Sequence, residues 1–105
     1  MSGGDYSINE LLDQGRRIWG WRRMRLDEIV PAMGVVFGDI CRVERDRHEH
    51  WETTPLEVAT LKREIGNMIL SSVRWASDLG LDPNSCIDAA LEAQKEFVRK
   101  REGGT

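Results

Sequence analysis

Three observations predict an all-α fold. Apolar residues recur at spacings of three and four over long stretches, and no segment alternates apolar and polar residues as a half-buried strand does. Two helix-start signals, Thr54-Pro55-Leu56-Glu57 and Asp82-Pro83, divide the C-terminal half. At 105 residues the chain fits one domain over 1–105, with frayed tails at 1–6 and 102–105. That is near the size at which partner subunits often complete a core.

Ser7-Ile8-Asn9-Glu10 has the spacing of a capping box, so a first helix is expected from about Ile8 to Trp19, ended by Gly20. Trp21-Arg22-Arg23-Met24-Arg25 reads as a basic, aromatic connection. A second helix begins near Asp27, with Met33, Val36, Phe37, Ile40 and Val43 on its apolar face. It tolerates Pro31 only in or near its first turn. The polar run from Arg45 to His50, continued through Trp51, Glu52 and Thr53, is expected to end the helix and form a loop.

Thr54, Pro55 and Glu57 combine an N-cap, a proline at the first helical position and a capping box. The long third helix carries Val58, Leu61, Ile65, Met68, Ile69, Val73, Ala76 and Leu79, and stops at Gly80. After Asp82-Pro83 a fourth helix carries Ile87, Ala90, Leu91, Gln94, Phe97 and Val98. Its basic end, Arg99-Lys100-Arg101, suits the helix dipole, and Gly103-Gly104 reads as a frayed tail.

The net charge is −3, which does not suit a general duplex-DNA binder. The start MSGGDYS lacks the apolar segment of a signal peptide, and no apolar run is long enough to span a bilayer. A cytoplasmic protein without membrane or nucleic-acid partners is the expectation. Cys41 and Cys86 fall in apolar helical patterns without close spacing, as buried free thiols do.

Val35-Val36-Phe37-Gly38-Asp39-Ile40 and Arg63-Glu64-Ile65-Gly66-Asn67-Met68 echo one another. Each places a glycine in mid-helix, where it costs about 1 kcal/mol against alanine. Close approach of two helix backbones would justify that cost. Glu64 and Asn67 share a helix face, extended by Ser71, Arg74 and Asp78, so Asp39, Glu64 and Asn67 could converge. Oxygen ligands of that kind suit Mg²⁺ or Mn²⁺ acting on a phosphate. The same spacing also suits a solvated ion-pair ladder, Asp39 with Arg42 and Glu64 with Arg74.

The order of helices, the paired x-x-x-G-acid elements and the stretch KREIGNMILSSVRWASDLGLDPNSCIDAALEAQKEFVRKR resemble the MazG-like, all-α nucleoside-triphosphate pyrophosphatase family. The similarity covers most of residues 8–101 and is most specific at Leu79-Gly80-Leu81-Asp82. It implies a four-helix bundle that assembles through its long helices into a homodimer or homotetramer. The implied activity is cleavage of nucleoside triphosphates to monophosphate and pyrophosphate with Mg²⁺ or Mn²⁺.

Carried over residue by residue, Asp39 takes the place of the second Glu of a Glu-x-x-Glu element, and Glu64 that of the third ligand. Asp39 and Glu64 are thereby the expected catalytic residues and, with Asn67, the expected metal ligands. Val36 stands where the first Glu belongs and Asn67 where an Asp belongs, so two negative charges remain of four. Lys95 and Arg99 lie where the family uses cations for phosphate, though basic residues near a helix end also serve the dipole. Glu28, Glu44 and Asp46 are the further acids available for recruitment to the site. The alternatives are a non-catalytic nucleotide-binding protein, for sequestering or sensing, and a structural oligomer of the same fold.

Trp75 is expected in the core or an interface. Trp19, Trp21 and Trp51 flank loops, where interface packing and stacking on a base both suit them. His48, Glu49 and His50 alternate at a helix end and read as a solvated charge run.

Overall fold

Four helices follow one another: α1 (Ile8–Trp19), α2 (Leu26–Arg47), α3 (Pro55–Asp78) and α4 (Pro83–Gly103). The computed structural model describes residues 4–47 and 54–103. Of the loop expected from Arg45 to Thr53, Arg45, Asp46 and Arg47 instead continue α2, and the remainder, with Trp51, lies outside the described residues, as does Gly104. Among the described residues there is no strand, and no helix is long and apolar enough to cross a membrane.

Local chemistry accounts for the helix ends. The Ser7 hydroxyl accepts from the Glu10 N–H at 3.1 Å, and Gly20, at φ 85°, turns the chain out of α1. At the start of α3 both halves of a capping box form. The Glu57 N–H donates to Thr54 Oγ1 at 3.2 Å and the Thr54 N–H to Glu57 Oε1 at 2.8 Å. Gly80, at φ 78°, closes α3 by letting the Leu81 N–H reach back to the Ala76 carbonyl at 2.9 Å, a Schellman-type stop. Asp82 then accepts from the Asn84 N–H at 3.1 Å to start α4.

α2 starts without a capping side chain at Arg25. Glu28, three residues in, accepts from the Arg25 N–H at 3.0 Å and from Arg22 Nη2 at 2.6 Å. Those bonds, the backbone one foremost, hold the Glu28 carboxyl below its ordinary pKa. Pro31 lies in the second turn rather than the first, and the helix continues through it with one backbone donor missing.

The core lies between α2 and α3. Ile29 is fully buried and packs with Val36 and Trp75, while Met24, Ala32 and Met68 close around them. α1 packs on α3, where Arg16 meets Ser77 and Asp78, and α4 packs on α3 with Pro83, Cys86 and Ile87 near its start beside a groove lined by Met68, Val73 and Ala76. Within one chain α4 therefore does not complete the expected four-helix bundle. Pro83 is its one buried residue, Cys86 is half-buried, and Ile87, Leu91, Phe97 and Val98 are exposed. The radius of gyration is 16.8 Å, against about 13 Å for a compact chain of this length.

Two expectations are corrected by this packing. A Cβ placed on Gly38 or on Gly66 would meet nothing within 4 Å, so neither glycine serves a close approach of helices inside the chain. The thiols are not buried: Cys41 is exposed and Cys86 half-buried, the latter on the lining of an open groove beside α3.

Candidate functional site

The antiparallel packing of α2 on α3 sets the level of each expected site residue. Val36 lies against Met68 and Trp75. One turn further along α2 stands Ile40, next to Asp39; one turn back along α3 stands Glu64. The acids of the two echoing segments thus occupy the same level of the helix pair.

Each expected ligand closes on a partner from its own helix. Asp39 pairs with Arg42, Glu64 with Arg63 at 3.3 Å, and Asn67 Oδ1 accepts from the Ser71 hydroxyl at 3.4 Å. The pairing of Glu64 with Arg74 is corrected, since Arg74 lies nearly three turns away and bridges to Asp78. Glu64 is the more enclosed acid, its side chain 13% exposed against 28% for Asp39. Lys95 and Arg99 sit exposed on α4, bridged to Glu92 at 3.4 Å and Glu96 at 3.0 Å. Glu28 belongs to the start of α2, and Asp46 pairs with its neighbour Arg45 at 3.6 Å. Among the described residues no three His, Cys, Asp or Glu side chains converge so as to hold a metal ion.

Val36 decides what the pair can do. It is 7% exposed and belongs to the Ile29–Trp75 cluster, so this position of the first echoing segment is part of the core. Two carboxylates and one amide oxygen are too few to hold a bare divalent ion firmly.

The strongest electrostatics of the fold lie elsewhere. Asp78, at the end of α3, has no exposed side-chain surface and is bridged by Arg16 from α1 and by Arg74 at 3.3 Å. It also accepts from the Met24 N–H at 3.1 Å, in the connection between α1 and α2. Arg16 further donates to Ser77 Oγ at 3.2 Å. Burial alone would raise the Asp78 carboxyl; the hydrogen bonds from Arg16 and Met24 and the two guanidinium charges outweigh it and hold the pKa below the ordinary value. Trp19 roofs the cluster, its ring centroid 5.8 Å from the Arg16 guanidinium and 5.3 Å from that of Arg74. A Cβ on Gly15 would come within 2.2 Å of that ring, so this glycine makes room for the tryptophan.

Sequence reasoning placed Asp78 and Arg74 on one stripe but missed Arg16 and Gly15. The signal was present in α1, where Ile8, Leu12, Gly15, Arg16 and Trp19 share a face. A charge on the apolar face of a short helix requires a buried partner. Trp75 is buried as expected, Trp19 is half-buried, and Trp21 is 79% exposed. Compared with protein-family models, curated proteins and solved structures, the chain has no match.

Proposed function

We infer that this chain is a MazG-like helical module that works as a homo-oligomer and binds a nucleoside triphosphate without releasing pyrophosphate. The observation that carries the reading is Val36. An apolar side chain packed on Trp75 stands where the family pattern calls for a carboxylate. Asp39, Glu64 and Asn67 would meet the Mg²⁺ or Mn²⁺ that arrives with the triphosphate, whose metal offsets phosphate charge and orients the chain of phosphates. Lys95 and Arg99 stand on a face made of α4 alone and would serve as cations for the phosphates from a neighbouring subunit of the oligomer. The likeness of residues 8–101 to the family and the shared level of Asp39 and Glu64 support this assignment.

Self-association is supported by surface. The chain exposes 8274 Å², against about 6,000 Å² for a compact monomer of its mass. The difference exceeds the ~800 Å² per partner that a standard interface buries. It includes the α4 stripe and an apolar groove of about 300 Å³ formed by Ile8, Met68, Ile69, Val73, Ala76 and Ile87.

A nucleotide panel with Mg²⁺ and Mn²⁺, read for both binding and pyrophosphate release, tests the reading. Binding without release is expected, and Glu64→Gln should remove it while leaving helicity intact. Pyrophosphate release would establish hydrolysis, a reading favoured by the enclosure of Glu64. Neither binding nor release would leave a structural oligomer.

A further inference from the structure

We propose that the hollow between α1, the α1–α2 connection and the end of α3 is a second binding site, for a phosphate carried on a planar ring. It lies thirteen residues along α3 from Glu64, or about 20 Å, and does not depend on the acid pair. The hollow has a volume of about 340 Å³ and is lined by Asn9, Asp13, Arg16, Trp21, Arg23 and Ser77, together with Leu12.

Its charge is positive and incompletely answered. Behind it, two guanidinium groups, Arg16 and Arg74, face one carboxylate, Asp78, with Arg74 Nε 3.3 Å from Asp78 Oδ2. Arg23, which lines it, has neither an ion pair nor a hydrogen bond among the described residues. Among the described residues lining the hollow the one carboxylate, Asp13, is bridged to Arg17 at 3.0 Å. Ser77 Oγ accepts from Arg16, which leaves its hydroxyl proton for a ligand oxygen. An anion placed here meets the planar fork of Arg23 and answers the excess positive charge behind it.

The ring preference comes from Trp21. Its side chain is 79% exposed yet lines the same hollow as Arg23 two residues on, as alternate residues of non-helical chain do. An indole face in water beside an unpaired guanidinium suits a ligand that stacks with one end and pairs with the other.

The test is tryptophan fluorescence with the full chain, in chelator and without divalent ions, titrated with phenyl phosphate, a nucleoside monophosphate and inorganic phosphate. Saturable quenching by the two ring-bearing phosphates is expected. Trp21→Phe should abolish the quenching, and Arg23→Gln should weaken binding at least tenfold. Both residues are exposed, so circular dichroism should match that of the unaltered protein. Glu64→Gln should bind as the unaltered protein does, which separates this site from the triphosphate reading. Quenching that survives in Trp21→Phe, or that disappears in Glu64→Gln, overturns the proposal. So does the absence of saturation at millimolar ligand, or inorganic phosphate binding as tightly as the ring-bearing compounds.

Discussion

Asp78 is the residue on which most of the chain's buried polar chemistry turns. Asp78→Asn leaves Arg16 and Arg74 facing each other without a countercharge, and breaking a buried ion pair from one side costs about 3 kcal/mol or more. Because the folded carboxyl titrates below its ordinary value, its stabilisation is fully present above the unfolded value of about 3.9 and is lost as pH falls through the folded one. Urea melts from pH 7 to pH 2 should show this acid loss in the unaltered protein and lack that component in Asp78→Asn. An identical acid profile in the variant would remove Asp78 from the account. The sequence placed this residue on the right stripe; its partner, 62 positions earlier, is a tertiary fact that helical spacing does not contain. Val36 carries the complementary residue-scale test. Val36→Glu with Asn67→Asp rebuilds four carboxylates and sets one in the core, so the protein should melt lower without metal and regain stability as Mg²⁺ or Mn²⁺ is added. Melting indifferent to metal would separate position 36 from Glu64.

Glycines in the helices give opposite predictions according to what surrounds them. Gly38→Ala and Gly66→Ala each meet open space and should stabilise the protein by about 1 kcal/mol, the ordinary helix-propensity gain. Gly15→Ala gains the same propensity but displaces Trp19 from between two guanidinium groups, and should lose about 1–3 kcal/mol net. Chemical denaturation of the three variants checks both signs together. Loss of stability at position 38 or 66 would mean that the helix face there is covered in the assembled protein. Element boundaries were legible because they are set locally: Ser7, Gly20, Thr54 with Glu57, and Gly80 act on backbone groups within a few residues of themselves. The role of a mid-helix glycine was not legible, since it depends on which side chain arrives from elsewhere. Gly15 is buried with Trp19 one turn away, pinned by Arg16 and Arg74, whereas Gly38 faces open space.

At the scale of the whole molecule, the exposed stripe of α4 predicts association. Light scattering at micromolar concentration should report a dimer or tetramer, and Leu91→Glu with Phe97→Glu should give a monomer of unchanged helicity, because neither side chain is buried within the chain. A monomer in the unaltered protein would end the assembly reading. The all-helical class was readable from apolar period alone, whereas the standing of α4 outside the core was not. Its stripe of Ile87, Leu91, Phe97 and Val98 has the same spacing whether its cover comes from this chain or another.

The cluster at Asp78 has a consequence for how the molecule opens. One carboxylate receives bonds from α1, from the segment joining α1 to α2, and from α3, so those three pieces share a single fastening. Amides of α1 should then exchange with solvent only together with those of α3, as one cooperative unit. In Asp78→Asn, α1 should become a separate, earlier-opening unit whose protection falls while the Ile29–Trp75 core keeps its own. The native chain would lack a state with α1 peeled away and the helix pair intact; the variant would populate it.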